Sequence, residues 1–327
     1  MTKQIAFITG ISGQDGSYLT EFLLKNNYEV HGIVRRNSVA EHQESRIDHL
    51  APYINIYYSD ILDNNSLRSA IDKASPSEIY NLAAQSHVRV SSEIPEFTTN
   101  VNAIGPLRIL EIIRSFGGKV KFYQASSSEM FGKSVDSDNF QRESTKMVPV
   151  SPYGCAKLFG YNITRHYREA YNLFAANGIL FNHESPRRAS NFVTSKIIKT
   201  AVQIKLGQAS KLTLGNIDSQ RDWGHSRDYV KAMVKILEHD VADDWVVATG
   251  ETRSIRQLLE IVFGSLGLNY KDYVVQDSKF MRPEELNYLR GDATKIKNKL
   301  GWKPEITFDE MIAEMLEFWL KSLKTNK

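Results

Sequence analysis

The chain has little of what disulfide-linked, metal-clustered or membrane proteins need. Cys155 is the only cysteine among 327 residues, which excludes an internal disulfide and a cysteine-based zinc cluster. No run of residues approaches the ~20 apolar residues of a membrane span. Residues 1–6 also contain no apolar stretch of the kind that a signal peptide needs. These features predict a cytoplasmic protein that does not bind membranes.

An excess of charge of one sign is also missing. The chain carries 41 basic and 38 acidic side chains, which give a formal net charge of +3. A nucleic-acid surface needs a clear excess of basic residues, so the balance predicts no nucleic-acid partner. No spacing of histidine and carboxylate residues suggests a metal site. Binding of an anionic ligand must therefore depend on a few locally placed groups.

What the chain does have is a regular alternation of two hydrophobic patterns. Short apolar runs typical of buried parallel strands occur at residues 5–9, 29–34, 54–58, 78–83, 121–125 and 173–181. Apolar residues at helical spacing occur between them, at residues 17–26, 64–74, 101–115 and 153–171. The alternation predicts an α/β fold with a doubly wound parallel (Rossmann) sheet and crossover helices.

The pattern loosens after the last of these strands, and the length suits about two domains. We predict that residues 1–182, with about 211–250, form a dinucleotide-binding domain. Residues of about 183–210 and 251–327 are predicted to form a smaller, mixed α/β substrate domain. No stretch rich in proline, glycine or serine separates the two, so we expect the chain to cross between them more than once.

A glycine-rich loop follows the first predicted strand. Gly10, Gly13 and Gly16 lie between that strand and the first helix, with Gln14 and Asp15 in the same loop. Glycine lets the backbone turn tightly and approach a pyrophosphate, whose charge the helix N-terminus favours. A tight turn without a ligand is the alternative. The order of strand, loop and helix predicts a dinucleotide site.

The ends of the next strands refine the cofactor prediction. Arg35 and Arg36 stand where an NAD site usually places a carboxylate, and arginine there suits the 2′-phosphate of NADP. A solvated basic pair is the alternative. Asp60, with Ile61, is placed to reach adenine, although a turn-forming aspartate explains it nearly as well. Residues after the fourth strand leave room for the ribose and nicotinamide; they are Leu82, Ala84, Gln85 and Ser86.

Tyr153 and Lys157 lie one helical turn apart. A phenol has an unperturbed pKa of ~10, and a nearby cation stabilises the phenolate and lowers that pKa. The pair therefore predicts proton removal from an alcohol during hydride transfer, with Lys157 as the cation. Two exposed residues on a helix surface are the alternative, since residues four apart are neighbours on any helix.

Ser127 and Glu129 follow the predicted strand at residues 121–125. Residues two apart on an extended segment point the same way, so both side chains can face one pocket. A hydroxyl there can hold a reacting oxygen. A carboxylate there can remove a carbon-bound proton next to a new carbonyl, which simple hydride transfer does not require. A glutamate at a turn or helix start is the alternative.

These motifs resemble those of a known family. The three glycines with Ser127, Tyr153 and Lys157 resemble the extended short-chain dehydrogenase/reductases. The strings at residues 182–188, 215–218 and 221–225, with 282–285, resemble the GDP-mannose 4,6-dehydratases within that group. The resemblance implies oxidation of GDP-mannose at C4 by NADP, elimination of water across C5 and C6, and return of the hydride to C6.

The resemblance also implies residue roles. It makes Tyr153 the base for the C4 hydroxyl, Lys157 its cation, Ser127 a hydroxyl partner and Glu129 the residue that removes the C5 proton. It adds ribose and nicotinamide contacts at Lys157, His183 and Arg188. It implies that the nucleotide sugar is bound by Asn182, Val193, Lys196, Arg221, Arg282 and Glu285.

Family members are homodimers or homotetramers, and the 36–44 loop is polar enough to reach a neighbour's cofactor, so we expect an oligomer. Other functions remain open at this point. A C4 epimerase or 4-ketoreductase of a nucleotide sugar would not need a C5 base. A related dehydratase would act on another nucleotide-linked hexose. A non-catalytic NADP-binding sensor would not need the phenol of Tyr153.

Overall fold

The structure is a computed structural model that describes residues 3–36, 45–281 and 284–325. Its strands, in chain order, are β1 (Ile5–Thr9), β2 (Glu29–Val34), β3 (Ile54–Tyr58), β4 (Glu78–Asn81), β5 (Lys121–Ser127), β6 (Ala175–Leu180), β7 (Asn182–Glu184), β8 (Leu212–Leu214), β9 (Gln220–His225), β10 (Asp244–Val247), β11 (Thr252–Ser254) and β12 (Val274–Gln276).

The α-helices follow the same alternation in the first half of the chain. They are α1 (Gln14–Lys25), α2 (Asn64–Ala74), α3 (Val88–Glu93), α4 (Pro95–Thr99), α5 (Gly105–Ser115), α6 (Pro152–Tyr171), α7 (Val193–Lys205), α8 (Ser226–Glu238), α9 (Ile255–Ser265), α10 (Thr294–Leu300) and α11 (Phe308–Thr325). Short 3₁₀ turns span Asp48–Tyr53, Ser128–Phe131, Tyr270–Asp272 and Ser278–Phe280, and a π-turn spans Asn100–Ile104.

Seven strands form one sheet in the order β10-β6-β5-β4-β1-β2-β3, and each adjacent pair is parallel. Apolar side chains from α1, α8 and α10 cover one face of this sheet, and those from α2, α5 and α6 cover the other. Helices on both faces of a parallel sheet define the doubly wound architecture. The predicted fold class is confirmed.

Several predicted elements have the predicted ends, and the exceptions have local causes. The first three strands and α2 match the predictions. Strand β4 stops before Leu82 because the hydroxyl of Thr9 accepts hydrogen bonds from the backbone N–H groups of Leu82 and Ala83, each at 3.1 Å. The predicted helix at residues 101–115 is interrupted by the π-turn before Pro106, which has no N–H to donate.

The remaining elements form a smaller lobe. It contains a three-stranded sheet in the order β11-β9-β7, the parallel pair β12 and β8, and a hydrophobic cluster from α7, α9 and α11. Leu212 and Trp223 belong to this cluster, whereas Ile296 and Trp302 pack with the large sheet. The predicted ranges assigned the first two residues to the dinucleotide-binding domain and the last two to the substrate domain, so their packing differs from the prediction. The division into two domains stays a prediction.

The described ranges contain neither a membrane-spanning helix nor a metal-binding group of side chains. Among residues 3–36, 45–281 and 284–325, no helix combines the length and the apolar character that crossing a bilayer requires. In the same ranges, no three histidine, cysteine or carboxylate side chains are grouped in a way that could hold a metal ion.

Candidate active site

A cleft of about 1200 Å³ opens at the carboxyl ends of the parallel strands and is lined by residues of both lobes. In open α/β sheets, ligands bind at this edge. The predicted site residues that line the cleft are Gly10, Gly13, Gln14, Asp15, Gly16, Arg35, Asp60, Ile61, Leu82, Ala84, Gln85, Ser86, Ser127, Glu129, Tyr153, Lys157, Asn182, His183, Arg188, Val193, Lys196, Arg221 and Glu285. Arg36 does not line the cleft, and Arg282 lies outside the described residues.

The glycine loop has no room for side chains. Gly10 has a φ of +72°, and a Cβ there would lie 2.9 Å from the backbone nitrogen of Ala83. A Cβ on Gly16 would lie 2.3 Å from the carbonyl oxygen of Gly10. Gly13 occupies the N-cap of α1, and no side chain in the described part of the chain caps that helix start. The first amides of α1 are therefore available to an anion, and the cradle fits a pyrophosphate.

The two predicted arginines differ in position: Arg35 lines the cleft and Arg36 does not. Arg35 is exposed along the cleft wall, at the end of β2. The guanidinium of Arg36 instead lies 5.6 Å from the centroid of the Tyr58 ring. Asp60 lines the cleft, and its carboxylate also accepts a hydrogen bond from the Leu62 N–H at 2.9 Å. The turn-forming role of Asp60 is thus present in the structure, and a contact with adenine stays a prediction.

A partly buried pair joins the start of α1 to β7. His183 Nε2 lies 2.8 Å from Asp15 Oδ2, and Gln14 Nε2 donates to the carbonyl oxygen of His183 at 3.1 Å. Burial opposes ionisation of Asp15, but His183 and Arg188 outweigh burial and hold the pKa of Asp15 below its usual value. Burial likewise opposes protonation of His183, and Asp15 outweighs it and raises the pKa of His183. Each group therefore stabilises the charged form of the other.

Local sequence brings the predicted catalytic residues together. Helix α6 begins where the Ser151 hydroxyl accepts a hydrogen bond from the Gly154 N–H at 3.0 Å, with Pro152 at the first helical position. A Cβ on Gly154 would lie 2.8 Å from the carbonyl oxygen of Glu129. Glycine at this position thus lets the start of α6, which carries Tyr153, pack against the short turn that carries Glu129.

The four predicted catalytic side chains form one buried group. No more than 9% of the surface of Ser127, Glu129, Tyr153 or Lys157 is exposed. Burial raises the pKa of Tyr153 to about 12, a hydrogen bond with Ser127 lowers it, and the nearby charge of Glu129 raises it further. The phenol of Tyr153 is therefore neutral near pH 7. Ser127 and Glu129 both lie close enough to act on it.

Lys157 lies close to this phenol and is held by a backbone acceptor. The Lys157 ammonium donates a hydrogen bond to the carbonyl oxygen of Ala125 at 2.8 Å and lies 5.8 Å from the centroid of the Tyr153 ring. Burial lowers the pKa of Lys157 to about 8. The predicted lowering of the Tyr153 pKa by the Lys157 cation stays a prediction.

The far end of the cleft is lined from the smaller lobe. Lys196 Nζ donates to the carbonyl oxygen of Thr213 at 2.7 Å. Arg221 is buried, and its Nη1 donates to the carbonyl oxygen of Gln220 at 2.8 Å. Arg188 Nε lies 3.0 Å from a carboxylate oxygen of Glu184. Backbone and carboxylate acceptors thus fix the positions of these basic side chains in the cleft wall.

The sequence analysis missed two arginines near this cleft. Arg89 lines the cleft from α3, and its position just after the small residues that follow β4 was the available signal. Arg46 donates to the carbonyl oxygen of Ser12 at 3.4 Å and to that of Arg187 at 2.8 Å. No local pattern marks Arg46, since its contacts come from distant parts of the chain.

Comparisons with known proteins agree with this geometry. A family model described as GDP-mannose 4,6 dehydratase matches residues 7–315. The chain is 49% identical over 335 residues to GDP-mannose 4,6 dehydratase 2 of Arabidopsis thaliana, covering 99% of this chain and 89% of that one. It is 46% identical over 351 residues to GDP-mannose 4,6 dehydratase of Homo sapiens, covering 99% of this chain and 93% of that one.

Among solved structures, a UDP-glucose 4-epimerase of Thermotoga maritima with bound UDP-glucose superposes with a TM-score of 0.85. The two sequences are 23% identical, and the match covers 98% of this chain and 100% of the other. At this level of identity, the likeness shows the shared fold alone.

Proposed function

The chain belongs to the GDP-mannose 4,6-dehydratase family and is a dehydratase of GDP-mannose, and from this premise we propose how its cleft performs the reaction. The observation that carries the proposal is the buried group of Ser127, Glu129, Tyr153 and Lys157 in the same cleft as the glycine loop. NADP bound at that loop would accept a hydride from C4 and return it to C6. The glycine cradle and the start of α1 would hold its pyrophosphate.

The side chains divide the proton transfers among them. Tyr153, in its phenolate form, takes the proton of the C4 hydroxyl while Ser127 holds the same oxygen by a hydrogen bond. The resulting C4 carbonyl makes the C5 proton acidic, and the Glu129 carboxylate accepts that proton. The protonated Glu129 then gives a proton to the C6 hydroxyl, which leaves as water. When the hydride returns to C6, Tyr153 gives its proton to C5 and becomes a phenolate again. The hydrogen bond from Lys157 to the carbonyl oxygen of Ala125 holds the lysine ammonium in place within this group.

A direct assay tests the assigned substrate. The purified protein with NADP is incubated in turn with GDP-mannose and with UDP-, CDP- and dTDP-linked hexoses, and the 4-keto-6-deoxy product is measured. We expect product from GDP-mannose without net consumption of NADP, since the hydride returns to the sugar. Turnover of another sugar nucleotide in preference to GDP-mannose would contradict the substrate assignment and keep the dehydratase chemistry.

We propose NADP rather than NAD on the position of Arg35, whose guanidinium can pair with a 2′-phosphate in the cleft. The Arg35→Ala variant is expected to bind NADP at least about tenfold more weakly, because one charge-assisted contact is lost. Its affinity for NAD should stay within about twofold, since NAD has no 2′-phosphate. Fluorescence titration of both cofactors measures the two effects.

Arg36→Ala is the matched comparison, because it removes the same charge from the neighbouring position. Arg36 lies over Tyr58 and outside the cleft wall, so its loss should weaken NADP binding less than the loss of Arg35. Equal losses of NADP and NAD affinity in Arg35→Ala would contradict the assignment.

We also propose that the chain assembles into a homodimer or homotetramer, as the family resemblance implies. Most of the 36–44 loop that was predicted to reach a neighbour lies outside the described residues. Sedimentation velocity at assay concentration should show a species of two or four chains. A monomer with full activity would contradict this expectation.

A further inference from the structure

Two cations from opposite lobes contact one aromatic ring at the mouth of the cleft. The guanidinium carbon of Arg89, on α3 of the large lobe, lies 5.7 Å from the centroid of the Phe280 ring. The ammonium of Lys196, on α7 of the smaller lobe, lies 4.4 Å from the same centroid. All three residues line the cleft. A basic group from each lobe therefore lies at the same ring in the cleft wall.

Among the residues that the structure describes, no well-placed carboxylate neutralises either cation. Within the described ranges, the carboxylate in ion-pair range of Arg89 is that of Glu93, at 3.9 Å, and these side chains are 42% and 63% exposed. Such a pair contributes little. Lys196 has no carboxylate within ion-pair distance in the described part of the chain and instead donates to Thr213. Burial lowers the pKa of Lys196, and the charge of Arg89 lowers it further.

We propose that Arg89 binds the diphosphate of a nucleotide sugar together with Lys196, and that it selects nucleoside diphosphates over uncharged nucleosides. This inference rests on the proposed function and adds a substrate contact from the large lobe. The positive charges of Arg89 and Lys196 repel each other, and an anion bound between them attracts both. A guanidinium is suited to this because it can lie over an aromatic ring and bind phosphate oxygens in a bidentate manner.

The cofactor's own pyrophosphate does not account for this pair of cations. The glycine cradle at Gly10, Gly13 and Gly16 already fits that group. Lys196 and Phe280 belong to the smaller lobe, whose hydrophobic cluster packs around α7 and β8. A second diphosphate, carried by a sugar nucleotide, fits the position between the lobes.

Ligand titrations of the NADP-loaded full-length protein test the proposal. GDP and guanosine are titrated into the wild type and into Arg89→Gln. We expect Arg89→Gln to bind GDP about tenfold more weakly, as the loss of a charge-assisted contact predicts, and to bind guanosine unchanged. Arg89→Lys keeps the charge without the fork and should bind GDP with intermediate affinity. In turnover of GDP-mannose, Arg89→Gln should raise KM by a similar factor and leave kcat within about threefold.

The matched control is Arg68→Gln. The guanidinium of Arg68 also lies over an aromatic ring, 5.4 Å from the centroid of Phe116, but on α2 and outside the cleft. This variant should bind GDP and guanosine as the wild type does. Unchanged GDP affinity in Arg89→Gln, or an equal loss of GDP and guanosine affinity, would overturn the proposal.

Failure of the proposed function gives a different result. If the wild type binds GDP without turning over GDP-mannose, the substrate assignment fails while the GDP and guanosine contrast still tests Arg89. If another nucleotide binds in place of GDP, the same contrast is measured between its diphosphate and its nucleoside. If the wild type binds no nucleoside diphosphate, the role of Arg89 is refuted.

Discussion

Replacing Glu129 by glutamine is expected to reduce formation of the 4-keto-6-deoxy product by about a thousandfold, the size of effect typical for loss of a general base. Glutamine has nearly the same shape as glutamate but cannot accept a proton from C5. Glu129 is buried in the cleft close to Tyr153, so no bulk solvent base replaces it there. Oxidation at C4 depends on Tyr153 and should continue.

Two measurements separate these steps. In Glu129→Gln, reduced nicotinamide should accumulate on addition of GDP-mannose, because the hydride is taken from C4 and cannot return to C6. Exchange of the C5 proton with deuterated solvent should be lost. Glu143→Gln is the matched control, since Glu143 also has a carboxylate shielded from solvent in part, accepts from the Val246 N–H at 2.8 Å, and lies outside the cleft.

The outcome also decides between the remaining enzyme classes. A Glu129→Gln variant with nearly full turnover would exclude the elimination role. It would favour the C4 epimerase or 4-ketoreductase, which transfers a hydride at C4 and needs no base at C5. The structural likeness to a UDP-glucose 4-epimerase does not favour the epimerase reaction, because that likeness shows the shared fold alone.

The predictable parts of this molecule are those that local sequence specifies. The order of β1, glycine loop and α1 follows from a short apolar run, three glycines and a helical pattern within 25 residues of chain. The Ser151 cap and Pro152 likewise set the start of α6, so the relative placement of Tyr153 and Lys157 could be predicted. Ser127 and Glu129 both line the cleft, as predicted. The predicted extended segment ends at Ser127, however, and Glu129 lies in the first turn of the 3₁₀ helix at Ser128–Phe131.

The parts that were not predictable depend on contacts between distant segments. The end of β4 is set by the hydroxyl of Thr9, which is 73 residues away from Leu82 in the chain. The sequence gives the helical spacing of Lys157 but neither its burial nor its hydrogen bond to the carbonyl oxygen of Ala125, 32 residues away. The convergence of Arg89 and Lys196 on Phe280 joins three segments that share no local pattern.

Replacing Tyr153 by phenylalanine should reduce turnover of GDP-mannose by a factor of about 10³ or more, because the C4 hydroxyl loses its proton acceptor. NADP affinity should stay within about twofold, since the glycine cradle is unchanged. A sensor that signals only by binding NADP would keep its output in this variant. Tyr161→Phe is the matched control on the same helix, because its hydroxyl donates to Asp244 at 3.0 Å and lies outside the cleft.

The pH dependence of kcat/KM for GDP-mannose, compared between the wild type and Tyr153→Phe, provides a second test of the role of Tyr153. Burial raises the pKa of Tyr153 to about 12, so the neutral phenol predominates near pH 7 and the reactive phenolate increases as pH rises. Burial lowers the pKa of Lys157 to about 8, so the lysine is cationic below that value and loses its charge above it. The wild-type kcat/KM for GDP-mannose should therefore rise with pH up to about 8 and then level off as the supporting cation is lost. Tyr153→Phe should lose the rising limb, and a variant that kept it would show that another group accepts the C4 proton.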